Sequence, residues 1–407
     1  MVWLTILILL HLFFHSFKFN ILLQITSLAL FIVFFKPRIS LSFIKQISPL
    51  IYLFALGMLG MLIYDYKAFH IIKDILHFLK PIIGLLIGYF FIQELNDEKK
   101  FFKLIIVMGL LSAIYHYILV FVMSDLSSGS INAFRLLSQD NYLELISLFF
   151  LIYYKKIFGE SFLKPIYYWG ILAFLSLSVV LYFSRIMMIL AVVFLLNYNG
   201  FTRITIRNIK LAGIMLVSIL LLYTYLYTVK LKSDAPGLEG FLFKIKMAPG
   251  EVFNAKLDKE NMMYLGENWR AYEAKRAFDL MNSKPETYVF GNGYGSLVNL
   301  GFWAPLGEYK RGMKYISELH NGYMYVFYKT GAIGLTFYFT FLFSLYNIIN
   351  KDFSFRGKII SGIGIAFLFT SLVFGGLYNY RDIFTFVLGG MLYFYYKKKR
   401  EVKHLNY

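Results

Sequence analysis

Cysteine is absent from all 407 residues, which excludes disulfides and thiolate-held metals but identifies no compartment. Charge is scarce too: 16% of residues are charged, and 23 acidic residues face 41 basic ones. Among the seven histidines, His11 and His15 share a helix face that offers no third ligand, and no His-x-x-x-His or Glu-x-x-x-His spacing lies near His320. Zinc hydrolysis is therefore not expected, and neither a metal nor a cofactor is called for. No internal repeat of fixed period and no low-complexity tract occurs. The first apolar run has neither a basic flank before it nor a small-residue cleavage site after it, so it reads as a retained span rather than a signal peptide.

What the chain has in excess is apolar surface. Hydrophobic residues make up 59% and mean hydropathy is +0.62, more than an ordinary soluble core accounts for. Apolar runs of roughly 17–25 residues, the length a ~30 Å hydrocarbon core demands, recur from end to end. They predict an all-α polytopic membrane protein with about twelve transmembrane helices and one large, partly helical external (periplasmic) loop. The expected spans lie near 2–15, 20–35, 48–64, 76–92, 102–123, 141–154, 165–183, 186–198, 209–228, 324–349, 357–375 and 382–396. This divides the chain into an N-terminal bundle (1–228), the loop (229–319) and a C-terminal membrane segment with a basic tail (320–407).

A net charge of +18 in a soluble protein would suggest nucleic acid, but here the basic residues gather in alternate connections. These are Lys36, Arg38 and Lys45; Lys99, Lys100 and Lys103; Lys155, Lys156 and Lys164; Arg203, Arg207 and Lys210; Lys351, Arg356 and Lys358; and the tail from Lys397. The positive-inside rule places them, with both termini, in the cytoplasm, and no nucleic-acid partner is expected. Pro165–Asn197 would be about 50 Å long as one helix, too long for a single crossing. Two short spans turning near Phe183-Ser184-Arg185 keep both basic flanks inside and set Arg185 at the outer face.

The polar interruption from Lys230 to Leu319 carries the candidate chemistry. Its many aromatics, Trp269 and Trp303 among them, exclude a disordered linker. Asn268–Met281 reads as a helix that places Arg270, Glu273, Ala274, Ala277 and Met281 on one face. Arg270 on that mostly small or apolar face either reaches a ligand or forms an i,i+3 ion pair with Glu273. Gly291-Asn-Gly-Tyr-Gly-Ser296 has neither the Lys-Ser/Thr of a P-loop nor a βαβ frame, leaving a structural turn or a close backbone approach to substrate. His320 opens the next apolar run and is either a structural residue or a base for a hydroxyl. Arg185 near the bilayer is costly and so suggests function, with snorkelling as the alternative. Arg135 and Arg381 share that suspicion, and Lys329 is read as marking where its segment is still outside the hydrocarbon.

Phe183-Ser-Arg185 opening a span, Trp269-Arg270 on a loop helix, Phe290-Gly-Asn-Gly-Tyr-Gly295, and His320-Asn-Gly-Tyr323 ahead of Gly331-Ala-Ile-Gly334 together resemble the bacterial O-antigen polymerase and O-antigen ligase superfamily. Arg135 with Asp140-Asn141 resembles a looser feature of the same family. The resemblance implies a metal-independent glycosyltransferase at the outer face of the bacterial cytoplasmic membrane. Its donor would be an oligosaccharide on undecaprenyl diphosphate, with membrane lipid around it and a chain-length regulator and flippase as pathway partners. It gives Arg185 and Arg270 the diphosphate, through planar bidentate guanidinium groups, and His320 the acceptor hydroxyl. Arg135, Asn141, Trp269, Gly291, Gly293, Gly295, Asn321 and Arg381 become candidate substrate contacts. A polymerase of O-antigen or capsular repeats is the preferred reading. An O-antigen ligase shares the donor chemistry, and a transporter of lipid-linked oligosaccharide is the reading from another class.

Overall fold

A computed structural model of the chain describes residues 2–14, 16–123, 142–161, 163–182, 184–232, 238–253, 262–305, 312–379 and 383–405. The order begins α1 (Val2–Phe13), α2 (Phe17–Phe35), α3 (Leu41–Ile63), α4 (Ala68–Leu95), α5 (Glu98–Ile118), α6 (Leu143–Phe158), α7 (Pro165–Leu181), α8 (Arg185–Tyr198) and α9 (Ile206–Thr228). The polar interruption then supplies α10 (Leu238–Phe253), α11 (Met262–Asn282), the single turn α12 (Thr287–Phe290), and strands β1 (Val298–Ala304) and β2 (Met313–Ile316). It closes with α13 (Gly322–Tyr346), the short α14 (Ile348–Lys351), α15 (Phe355–Val373) and α16 (Phe384–Leu405).

A helix therefore occupies each position expected to span. Seven helices among the described residues are long and apolar enough to cross a membrane, and α1, α7 and α8 are shorter apolar helices. The protein is a mostly helical polytopic membrane protein. The α9 helix makes the physical case most simply, because Leu226 is its one buried residue and most of the side chains it exposes beyond its basic first turn are apolar. Such a surface persists only where lipid replaces water. Helix starts carry the expected caps: Ser40, Asp97, Thr205 and Ser354 each accept a backbone N–H from the first turn. The long run from Pro165 breaks as anticipated, α7 ending at Leu181 and α8 beginning at Arg185, and both pack on α6.

Inside the bundle α4 is the central helix, buried against α16, α2 and α3. Gly88 of α4 meets the Phe386 carbonyl and Gly389 of α16 meets the Leu85 carbonyl, so the two backbones touch directly. The α13 helix packs on α3 and α15, and Arg356 of α15 grips Glu98 of α5 with two hydrogen bonds.

The expectation of a partly helical loop misses the small antiparallel hairpin β1–β2, in which Val298 pairs with Ile316. Tyr272 donates to the Leu300 carbonyl and Arg276 to that of Asn299 (3.0 Å), fastening α11 to β1. The glycine-rich turn after α12 is woven into the helices. Gly293 holds φ 75°, and its Cα lies so close to Gly60 of α3 that a Cβ would stand 2.6 Å from the Gly60 Cα. Gly331 interrupts α13 at φ 62°, ψ −167°, and lets that kink pass beneath the Val289 carbonyl.

Lys329 is fully buried, paired with Asp74 of α4 and donating to the Ser296 carbonyl. Asp74 in turn accepts from the Gly295 amide at 2.7 Å. Removing one member strands a buried charge, a loss of about 3–5 kcal/mol. Lys329→Met is therefore expected to lower the thermal midpoint in detergent sharply. The double variant Asp74→Asn/Lys329→Met, which keeps an acceptor for Gly295, is expected to lose less. A double variant below both singles would contradict the pairing argument.

Candidate functional site

Arg185 and Arg270 come from distant helices yet line one pocket of about 360 Å³. Arg185 stands at the first position of α8, so the break after α7 is what delivers it. Arg270 lies in the middle of α11, where its Nε donates to the Val373 carbonyl (3.0 Å) and its guanidinium rests 5.5 Å from the Phe374 ring centre. The other walls are largely apolar, with Ile186 and Ile189 from α8, Tyr223 from α9, and Phe241 and Ile245 from α10. Two guanidinium groups in such a setting suit an amphiphile with a doubly anionic head, since phosphate oxygens take their planar forks bidentately.

One turn along α11 from Arg270, Glu273 is almost wholly buried. The alternative of an Arg270–Glu273 ion pair does not materialise among the described residues. Glu273 instead accepts the His320 backbone N–H (2.9 Å), and both its oxygens lie 3.0 Å from His320 Nδ1. A carboxylate only accepts, so Nδ1 carries a proton, and in the neutral imidazole the lone pair is then on Nε2. The His320 side chain is 49% exposed, open to an incoming hydroxyl. Its carbonyl accepts the Gly375 amide at 2.7 Å, and Gly375 follows the Val373-Phe374 segment that seats Arg270. Arg270, Glu273 and His320 thus share one scaffold. The arrangement can bind an anionic leaving group and take a proton from a nucleophile, the two requirements of group transfer to a hydroxyl.

The remaining sequence candidates divide. Trp269 is buried against Tyr272 and Phe302, with ring centres 6.2 and 6.3 Å away, and is a packing residue. Asn321 caps α13, accepting from the Met324 amide at 3.1 Å. The glycine turn, offered as either a structural turn or a substrate contact, is engaged by the protein itself. The amides of Gly291, Gly293 and Gly295 donate to the Thr287 carbonyl, the Lys329 carbonyl and the Asp74 carboxylate, leaving none of the three to bind phosphate. All three glycines are buried, and their role is architectural. Arg135, Asn141 and Arg381 lie outside the described residues.

Sequence reasoning missed Glu273 as the histidine's partner, 47 residues away in the chain. The available signal was an acidic residue on the inward face of the helix that bears Arg270. It also missed the polar ladder at the start of α4. Lys73 pairs with Glu318 (2.8 Å), His77 Nε2 meets the Tyr378 carbonyl (2.7 Å), and Lys80 donates to the Asn379 carbonyl (2.9 Å). Burial opposes the charge on Glu318, but the His77 imidazole and the Lys73 ammonium outweigh it and hold its carboxyl well below the usual carboxylate range. This ladder ties down both segments beside the histidine, 317–320 and 375–379. Burial pushes the Tyr66 phenol up to about 12, so it remains a donor to the Asn292 carbonyl at 3.0 Å and braces the glycine turn. Neither family models nor curated proteins give a match to this chain.

Proposed function

We propose that the protein is a glycan polymerase of the bacterial cytoplasmic membrane. It moves a growing oligosaccharide from undecaprenyl diphosphate to the sugar hydroxyl of a lipid-linked repeat. The observation that carries this reading is the single pocket shared by Arg185 and Arg270, with the Glu273–His320 pair held one turn along the helix that bears Arg270. In the proposed reaction His320 Nε2 accepts the proton of the acceptor hydroxyl while its oxygen attacks the anomeric carbon. The bond to the diphosphate oxygen breaks with inversion, and the guanidinium groups take up the charge gathering on that leaving group. Glu273 stabilises the imidazolium as it forms. No metal is required, because the two arginines supply the positive charge.

The accompanying topology has about twelve spans, with both termini cytoplasmic and the segment from α10 to β2 outside. Helices at each expected span and the alternation of basic connections support it. The apolar walls supplied by α8, α9 and α10 suit a donor that arrives with its lipid.

Products separate a polymerase from a ligase of the same donor chemistry. Purified protein given only lipid-linked repeat is expected to yield a ladder of longer lipid-linked glycans. A ligase would leave that substrate at its original length until a different acceptor is added. In cells, loss of the gene is expected to leave single repeats, whereas long chains stranded on the carrier would assign the protein as a ligase.

A further inference from the structure

The bundle buries another ionisable group away from the pocket. Glu144, in the first turn of α6, is fully enclosed. Its Oε1 accepts from Ser112 of α5 (2.8 Å) and from the Tyr182 hydroxyl (3.0 Å), and its Oε2 accepts from Ser178 of α7 (2.8 Å). Because Ser178 gives its proton to Glu144, its oxygen is left to accept from His116 Nδ1 at 2.9 Å. The His116 and Tyr182 rings lie 4.0 Å apart, centre to centre. Ser112 and His116 sit one turn apart on α5, as do Ser178 and Tyr182 at the end of α7, so Glu144 draws three helices together.

What the carboxylate grips is the end of α7. Tyr182 caps that helix and Arg185 opens α8 three residues later, a connection that spans at most roughly 11 Å. Tyr182 and Arg185 are therefore close enough in the chain for the place of one to bear on the place of the other. We propose that Glu144 is a positioning residue: by holding Ser178 and Tyr182 it fixes the α7–α8 turn and sets Arg185 in the pocket it shares with Arg270. The inference rests on reading Arg185 as a diphosphate ligand. A carboxylate suits the task because it accepts from several hydroxyls at once. A glutamine has a single acceptor oxygen, and its amino group turns donors toward donors.

The test uses the full chain in lipid nanodiscs with farnesyl diphosphate as the binding probe. Glu144→Gln and Arg185→Ala are each expected to weaken binding on the order of tenfold, and the double variant is expected to bind no more weakly than Arg185→Ala alone. Losses that multiply would show that Glu144 acts independently of Arg185 and would overturn the proposal. Wild-type affinity in Arg185→Ala would instead remove the diphosphate reading itself. Tyr182→Phe, which keeps the ring and deletes one donor, covers the case in which Glu144→Gln fails to fold. It is expected to weaken binding with an unchanged thermal midpoint. A lowered midpoint with unchanged affinity would make the cluster purely structural and reject the positioning role.

Discussion

Arg270→Ala is expected to cut glycan transfer by about 10²–10³-fold, the usual cost of deleting one preorganised donor from the site where charge develops. Arg185→Ala is expected to do the same while each variant stays in the membrane at normal abundance. The reason lies in how Arg270 is held. Its Nε is committed to the Val373 carbonyl and its plane rests by Phe374, so the fork is oriented before substrate arrives. Lysine keeps the charge but cannot hold a backbone carbonyl and present a planar pair of donors together. Arg270→Lys should therefore recover only a minor part of the rate. The measurement is transfer by purified protein from a defined lipid-diphosphate donor, with abundance followed by immunoblot. Full activity in Arg270→Lys would mean that charge alone suffices and that the bidentate argument is mistaken.

The second large effect belongs to the histidine and the carboxylate behind it. His320→Ala is expected to lower kcat by about 10²–10⁴-fold, with donor binding nearly unchanged. Glu273→Gln is expected to lose on the order of 10³-fold, although it alters no atom that meets substrate. An amide can donate to Nδ1, which favours the tautomer protonated on Nε2 and blinds the base. A Glu273→Gln enzyme with normal kcat would remove the carboxylate from the mechanism and leave it as an anchor for the His320 backbone.

The sequence is most legible where a single local rule decides. Helix positions follow from apolar run length, and the break between α7 and α8 follows from the length of Pro165–Asn197 set against a bilayer. The helix around Arg270 follows from its composition. Contacts between distant segments are a different matter. Glu273 shares a helix face with Arg270, and nothing in the spacing tells that its carboxylate turns to a histidine beyond the hairpin. The glycine turn stayed open between two readings for a related reason. Alternating glycines signal a close approach of backbone to something, and here that something is α3 and α13 rather than a substrate. At the start of α4, Lys73, Asp74, His77 and Lys80 all reach partners more than 200 residues away, which no periodicity encodes.

That turn also bears on how such a protein can be rearranged, by evolution or by design. The amides of Asn292, Gly293 and Tyr294 end on the carbonyls of Tyr328, Lys329 and Gly57, in the two helices on which the turn sits. Cut free of α3 and α13, the polar segment would keep its hairpin and lose the acceptors that complete its backbone. It is not a detachable module. A transplant of altered specificity has to take those two helices with it, so the smallest heritable unit of the site is larger than the polar segment itself.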